Sequence, residues 1–255
     1  MIDIRFVTWK ILLLSAFYFF IILSGSIAIA AKMGSHSLFD FIVHLQSGGS
    51  AGNFTLAFGT LPLLAFLLPS LIDLTERDHI VLRLQNKTTL YRHHILFSII
   101  ASGIFVSLMA LAGLAASMAL VGHTDNLWTT KQGSVYFLLE NKELFPLYIS
   151  KVASWKVWGY ILASRFLATL FMSLLIIALK LLLRKNILVF FSALLLLGTD
   201  ALLPRGFSLF LGRTRIDLET WLSPADQWFN LVYFSLGIVL LFFLSGNLYR
   251  KKEFL

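Results

Sequence analysis

IDLTERDHIVLRLQNKTTLYRHH, residues 72–94, is a charged stretch between two of the most apolar segments of the chain. Of the 255 residues, 58% are hydrophobic and only 13% are charged. Soluble domains carry about twice that share of charged residues. Several apolar runs reach the ~18–20 residues that cross a hydrocarbon core. The sequence therefore predicts an all-α integral membrane protein in which this stretch is a loop at the membrane surface.

Six apolar runs are long enough to span a membrane, and each predicts a helix, because a helix satisfies its own backbone hydrogen bonds in lipid. The predicted spans of this single transmembrane domain, residues 1–255, are residues 11–31, 54–72, 95–121, 166–183, 187–203 and 228–247. The connections of interest are residues 73–94, 122–165 and 204–227. The first run also resembles a signal peptide, but it is longer than a usual apolar signal region, and we interpret it as a retained span.

Lysine and arginine predict the orientation, because positively charged loops stay on the cytoplasmic side. With the N-terminus inside, twelve of these residues flank the inner ends of the spans and eight flank the outer ends, although the outer connections are longer. We therefore expect both termini and residues 73–94 to be cytoplasmic. The net charge of +8 fits basic loops beside anionic lipid, and no nucleic-acid partner is expected.

The cytoplasmic stretch begins with helix-start signals. Two pairs have the spacing of a capping box, namely Asp73 with Glu76 and Thr75 with Asp78. Such a pattern predicts that a new helix begins at Asp73 or Thr75.

The residues that follow are typical of an amphipathic helix, whose apolar side would consist of Ile80, Val81 and Leu84. The segment predicts a short helix on the inner membrane surface, followed by a basic return, YRHH at 91–94, into the third span. Composition alone also fits an ordinary interfacial loop helix with no partner. The position favours a docking role, because the other inner connection, RKN at 184–186, is minimal.

This organisation resembles the membrane subunits of type 2 ABC exporters, which have six spans, both ends inside, and a coupling helix between the second and third spans. In that family an acidic-basic pair opens the coupling helix, and Glu76 and Arg77 match it here, followed by IVLRL at 80–84 and by Arg92. The family's extracellular segment before the last span corresponds to residues 204–228. The chain lacks the common Gly-Thr after the pair and has a long outer connection, which leaves subfamily and substrate open.

The resemblance implies a permease subunit, not an enzyme, in a bacterial plasma membrane. Its substrate would be amphipathic or hydrophobic, a peptide, drug or lipid, with bacteriocin and lantibiotic immunity exporters as the first candidates. The sequence contains no G-x-x-x-x-G-K-[ST] pattern, so ATP and Mg²⁺ would bind a separate cytoplasmic ABC ATPase, in two copies, and this chain would bind no cofactor. A second membrane subunit, identical or homologous, is also implied. The residues implied to contact the ATPase are Glu76, Arg77, Asp78, Ile80, Val81, Leu84 and Arg92.

Two charged residues lie within or beside the later spans. Counting back from Arg184, residues 166–183 would form ~27 Å of helix, which places Arg165 at the outer boundary, as an interface anchor or as a pathway residue. The helix upstream of Arg165 is then expected outside the hydrocarbon core or along its surface. Asp200 could form a structural pair with Arg165 or Arg205, or it could belong to a substrate or ion site.

Other function classes find less support in the sequence. The chain has no cysteine and no H-E-x-x-H zinc pattern, and its glycine-serine stretches lack the intramembrane histidine that a serine hydrolase needs. Small residues at 101–117 recur at helical spacing, which suits either a subunit interface or internal packing. Two alternatives stay open: a membrane interaction, immunity or assembly protein without transport activity, and a membrane enzyme or ion-coupled carrier.

Overall fold

The computed structural model describes residues 4–76 and 87–251, and within these ranges all regular structure is helical. The prediction of an all-α chain is therefore confirmed. The six long helices are α1 (Ile4–Lys32), α2 (Leu61–Thr75), α3 (Lys87–Val121), α4 (Ser154–Leu183), α5 (Asn186–Leu202) and α6 (Pro224–Lys251).

Five helical segments in the described part of the chain are long and apolar enough to cross a membrane. They are Trp9–Lys32, Thr55–Thr75, Thr88–Val121, Ser154–Leu183 and Pro224–Lys251, and they indicate a multi-pass membrane protein. The remaining long helix, α5, is apolar but has only 17 residues. It ends just before Pro204, because a proline disfavours helical geometry in the residue that precedes it.

Several helices extend beyond the apolar runs that predicted them. α3 begins at Lys87 rather than near residue 95, and α4 begins at Ser154 rather than near residue 166. The upstream helix that we expected outside the core or along its surface is thus continuous with α4. Hydropathy reports only the apolar part of a helix, whereas its backbone hydrogen bonds continue into the polar flanks.

α4 is the central helix of the bundle. It packs most extensively against α6, and then against α3 and α2, so that Ala168, Ile176 and Ile177 are completely buried. The outer faces of α1, α3 and α6 instead expose many leucine, isoleucine and phenylalanine side chains. In a bilayer these exposed faces would contact lipid.

α2 is preceded by a π-helical turn, Thr55–Thr60, at a point where proline interrupts the usual bonding. Pro62 lacks an N–H, so it cannot donate to the carbonyl of Phe58 four residues earlier. The hydroxyl of Tyr18 on α1 donates to that carbonyl instead. The irregular start of α2 is thereby held against α1.

The connections at one end of the bundle fold into a cap of short helices. The short α-helices are Leu38–Ile42, Ser134–Leu138, Phe145–Ile149, Leu211–Thr214 and Leu218–Leu222, and the 3₁₀ turns are Leu127–Thr129 and Lys142–Leu144. Trp128 and Trp221 are both buried in this cap and meet edge to face, with ring centroids 5.9 Å apart. Aromatic burial of this kind gives the cap a core that continues from the bundle.

Candidate functional site

The residues predicted to contact an ATPase are only partly within the described ranges. Arg77, Asp78, Ile80, Val81 and Leu84 lie outside them, so the predicted amphipathic helix does too. Glu76 and Arg92 lie on the two flanks of that segment, Glu76 just after α2 and Arg92 in the first turns of α3.

The prediction that a new helix begins at Asp73 or Thr75 is wrong. Both residues belong to the last turn of α2, and the Thr75 hydroxyl bonds back to the carbonyls of Leu71 and Ile72, at 3.1 and 3.0 Å. A threonine hydroxyl that bonds to its own helix in this way imitates a cap in sequence but not in structure. The basic return at 91–94 is likewise already part of α3.

Glu76 is bound to the last helix of the protein. Its carboxylate accepts a hydrogen bond of 2.6 Å from the hydroxyl of Tyr249 on α6, and the Tyr249 side chain is buried. Hydrogen bonds to a charged acceptor are stronger than those between neutral groups. The start of the predicted coupling segment is therefore attached to the C-terminal end of α6.

Lys180 on α4 connects this helix to α2 and α5, one turn of α2 before Glu76. Its ammonium group forms a salt bridge of 2.6 Å with Asp73 on α2 and donates to the Arg184 carbonyl and to Asn186 Oδ1, at 2.6 and 2.5 Å. The Asn186 amide in turn donates to Asp73 Oδ2 at 2.6 Å. All three ammonium hydrogens thus have acceptors, as a buried lysine requires.

His94 and two tyrosines fill the space between α2, α3 and α6. His94 Nε2 lies 2.7 Å from the Thr75 hydroxyl, and its ring meets that of Tyr249 at 5.8 Å between centroids. Tyr91 donates to the Phe242 carbonyl at 2.5 Å and packs 5.7 Å from the Tyr249 ring. His94 is buried here, whereas His93 beside it is exposed. The YRHH pattern does not show which of the two histidines is buried.

These contacts form two neighbouring sets, one around Lys180 and one around Tyr249, which both involve the last turn of α2. Together we call them the basal cluster. Its members are Asp73, Thr75, Glu76, Tyr91, His94, Lys180, Asn186 and Tyr249. It joins the ends of α2, α3, α4, α5 and α6 around the flanks of residues 77–86. Arg92 is exposed beside it, in a cleft of about 330 Å³ between α3 and α6.

Arg165 is enclosed by protein and not extended toward a surface. It lies within α4, its side chain is only 1% exposed, and Nη1 donates to the Thr214 carbonyl at 2.6 Å. Its other two nitrogens, Nε and Nη2, have no acceptor among the residues that the structure describes. A membrane-interface arginine would extend its guanidinium toward headgroups, whereas this one is enclosed by protein.

Asp200 pairs with neither Arg165 nor Arg205. Its carboxylate accepts hydrogen bonds from the backbone of residues 209–211, at 2.5 to 3.1 Å, and from the Ser208 hydroxyl, at 3.0 Å. These four donors supply what a buried carboxylate needs. Asp200 therefore fixes the short helix that presents the Thr214 carbonyl to Arg165.

Arg205 pairs elsewhere in the cap. Its guanidinium lies 3.3 Å from an Asp217 oxygen and donates to the Thr220 hydroxyl at 3.1 Å. Asp217 caps the helix Leu218–Leu222 by accepting from the Thr220 backbone N–H. The pairing left open by the sequence is thus decided by the folding of residues 204–222.

The structure adds a buried carboxylate that the sequence reading missed. Asp40 is completely buried and accepts from Trp128 Nε1 at 2.7 Å and from the Ser134 hydroxyl. It also closes a capping box with Ser37. The S-x-x-D spacing at 37–40 is the sequence pattern that could have indicated this capping box. Through its contacts with Trp128 and Ser134, Asp40 joins the loop after α1 to the long connection between α3 and α4.

Comparison with known proteins does not assign the chain to a family: no family model, no curated protein and no solved structure matches it. Within the described ranges there is also no group of three or more His, Cys, Asp or Glu side chains placed to hold a metal ion. The function is therefore argued from the basal cluster, the exposed apolar faces and the buried charges.

Proposed function

We propose that the chain is the permease subunit of an ATP-driven exporter of the type 2 ABC kind. In this proposal all six long helices cross the membrane, both termini are cytoplasmic, and residues 77–86 dock on a separate ATPase. Two membrane subunits, identical or homologous, would form the pathway, and two ATPase subunits would supply the energy.

The observation that carries the proposal is the basal cluster. A coupling segment must pass force from the ATPase to helices that line the pathway, and it can do so only if its ends are bound to them. Glu76 is hydrogen-bonded to Tyr249 on α6, and Asp73, one turn earlier, is bonded to Lys180 on α4. A movement of residues 77–86 would therefore be transmitted to α4 and α6 by hydrogen bonds to carboxylates, not by a flexible loop.

A cleft at the opposite end of the bundle supports an amphipathic substrate. It has a volume of about 440 Å³, in the range of pockets for small organic ligands. Its walls combine indole and phenol rings with lysines, from Lys151, Trp155, Lys156, Tyr160, Trp221 and Trp228. A peptide or lipid with an apolar body and polar groups matches such walls better than a small inorganic ion does.

Co-purification from the native host tests the proposal. The tagged full chain, extracted in mild detergent, should carry an ABC ATPase that mass spectrometry identifies by its own nucleotide-binding motif. The variant Ile80→Asp with Leu84→Asp places charge on the predicted docking face and should abolish the association. The matched control, Leu147→Asp with Phe207→Asp, changes two exposed apolar residues of the cap and should leave it intact.

Two results would decide against this proposal. One is a purified chain without any ATPase, which favours the alternative of a membrane interaction, immunity or assembly protein. The other is an ATPase that stays bound to the Ile80 and Leu84 variant, because the docking surface would then lie elsewhere. The variants avoid Glu76, since its bond to Tyr249 would confuse a loss of docking with a loss of folding.

A further inference from the structure

A cleft between α3 and α6 opens at the end of the bundle that holds the basal cluster. It has a volume of about 330 Å³, and its lining comes from the first turns of α3 and the last turns of α6. Each helix contributes one arginine, Arg92 from α3 and Arg250 from α6, and in the described chain no carboxylate belongs to the lining. The cleft therefore has a cation on each of its two walls.

The guanidinium of Arg92 is available to a ligand. Arg92 is exposed, and its side chain forms no hydrogen bond or ion pair with residues 4–76 or 87–251. The adjoining segment, residues 77–86, contains two arginines and one aspartate, so it brings no net negative charge to this end of the bundle. Binding surfaces favour partners of complementary charge, which indicates an anion from outside the chain.

The floor of the cleft is held in place by a bond between the two helices. The Tyr91 hydroxyl on α3 donates to the Phe242 carbonyl on α6 at 2.5 Å. Gly246 lines the cleft beside this ring, and a Cβ there would lie 3.4 Å from the nearest Tyr91 atom, an ordinary contact distance. The cleft thus owes part of its space to the missing side chain at Gly246.

An exposed apolar stripe leads away from each arginine. On α3, Leu96 and Ile99 follow Arg92 by four and seven residues, so the three share one face of the helix. On α6, Phe243 precedes Arg250 by seven residues, which places it on the same face and ~10 Å nearer the middle of the helix. Leu96, Ile99 and Phe243 are 54%, 40% and 64% exposed, so both stripes belong to the faces that would contact lipid.

A phospholipid matches this arrangement better than a free anion does. The arginines lie at the polar end of faces that lipid would cover in a bilayer, so a headgroup bound there would leave its acyl chains beside Leu96 and Phe243. A free anion would use the arginines alone. The volume is within the range of pockets for small organic ligands, and basic clefts between the ends of transmembrane helices bind anionic lipid headgroups.

We propose that this cleft binds the headgroup of an anionic phospholipid, with Arg92 and Arg250 at its phosphate and the acyl chains along the stripes of α3 and α6. A zwitterionic headgroup would bring a further positive charge to walls that, among the described residues, offer no carboxylate. The lipid would join α3 to α6 beside Tyr249, whose hydroxyl binds Glu76. The inference does not depend on the transport proposal, because it requires only that α3 and α6 contact lipid.

Native mass spectrometry of the purified full chain tests the inference. The chain, freed of lipid in a neutral detergent, is offered equal amounts of phosphatidylglycerol and phosphatidylcholine with the same acyl chains. Phosphatidylglycerol should be retained preferentially, and glycerol 3-phosphate, which has no acyl chains, should bind much more weakly. Equal retention of the two lipids, or equal binding of glycerol 3-phosphate, would overturn the inference. Since no ATPase is present, a failure of the transport proposal would not affect the result.

Matched charge variants locate the lipid. Arg92→Gln should weaken the apparent affinity for phosphatidylglycerol about fivefold, because one cation near the membrane surface contributes that much to the attraction of anionic lipid. Lys185→Gln is the control, because it removes an exposed cation from the same end of the bundle, in the turn between α4 and α5 and outside the cleft lining. An equal loss in both variants would show a general attraction of charge and would contradict the proposed site.

Gly246→Leu tests the cleft without changing its charge. The nearest neighbours of a Cβ at this position are Tyr91 ring atoms at 3.4 Å or more, so the start of the side chain fits and the remainder would occupy the cleft. Retention of phosphatidylglycerol should therefore fall, while an unfolding midpoint close to that of the wild type shows that the variant is folded. Unchanged retention in the folded variant would mean that the lipid binds elsewhere.

Discussion

At the residue scale, the buried charged groups of this protein bond to partners that the fold brings near them, and the residues next to them in the sequence do not predict those partners. Asp200 bonds to a backbone turn, and Lys180 bonds to Asp73 from another helix. Arg165 bonds to a single carbonyl. Spacing along the chain fixes the distance between groups only inside one helix, so a pair between elements needs the packed structure.

His44 provides a residue-scale prediction about pH. It is buried, and its Nδ1 accepts from the backbone N–H groups of Gln46 and Ser47, at 3.2 and 3.4 Å. Burial lowers the pKa of His44 below its usual value of 6.5, and the charge of Asp40 only partly opposes this. Protonation would also remove the acceptor at Nδ1.

The lowered pKa of His44 determines how stability changes with pH. As pH falls below about 6.5, the unfolded chain takes up a proton at this histidine before the folded chain does. The free energy of unfolding therefore decreases with falling pH, and its slope corresponds to at most one proton. We expect His44→Asn, which keeps an acceptor, to flatten the fall of the unfolding midpoint between about pH 7.5 and 5. His93→Asn, at an exposed histidine of α3, is the control. Parallel curves for wild type and His44→Asn would refute the assignment.

At the element scale, α4 organises the protein. Its buried face contacts α2, α3 and α6, its C-terminal end enters the basal cluster, and its middle reaches the cap through Arg165. α5 returns antiparallel after a short turn in which Arg184 has φ +59°. Helices joined by so short a turn pack side by side.

Two glycines on α3 give an element-scale prediction about the small-residue pattern at 101–117. A Cβ at Gly113 would lie 2.5 Å from a side-chain carbon of Ile42 and 2.7 Å from the Ser50 hydroxyl, whereas a Cβ at Gly103 would meet nothing within 4 Å. Part of the pattern therefore serves internal packing, and part faces outward.

Gly113→Ala should destabilise the folded chain by about 1–3 kcal/mol, because both neighbours are buried and Ser50 is held by its bond to the Met109 carbonyl. Gly103→Ala should be neutral or stabilising, since alanine favours helix over glycine by up to ~1 kcal/mol. Thermal unfolding in detergent measures both variants side by side. The same midpoint for the two would show that α3 does not pack against Ile42 as described.

At the scale of the whole molecule, the bundle has a polar cluster at one end, a folded cap at the other, and exposed apolar faces between them. The number of crossings depends on α5, whose 17 residues give ~26 Å of helix, close to the ~30 Å hydrocarbon core. With α5 crossing, the cap and the basal cluster lie on opposite sides of the membrane.

Cysteine labelling decides the topology, and the native chain contains no cysteine to interfere. We expect single cysteines at Arg83 and Lys185 to react only with a thiol reagent that enters the cytoplasm, and a cysteine at Phe207 to react with an impermeant reagent from outside. Lys185 and Phe207 are exposed at the two ends of α5. Labelling of both from the same side would mean that α5 does not cross, and labelling of position 83 from outside would remove the proposed coupling role.

The sequence by itself determined the helical class, the approximate positions of the long helices and the presence of a charged segment between the second and third apolar runs. It could do so because twenty apolar residues have one stable arrangement in lipid, whatever their neighbours are. It did not determine helix ends such as Lys87 and Ser154, the partners of Asp200, or the burial of His94 and Arg165. Those depend on which side chains and backbone groups meet across helices, and only the tertiary packing brings them within hydrogen-bonding distance.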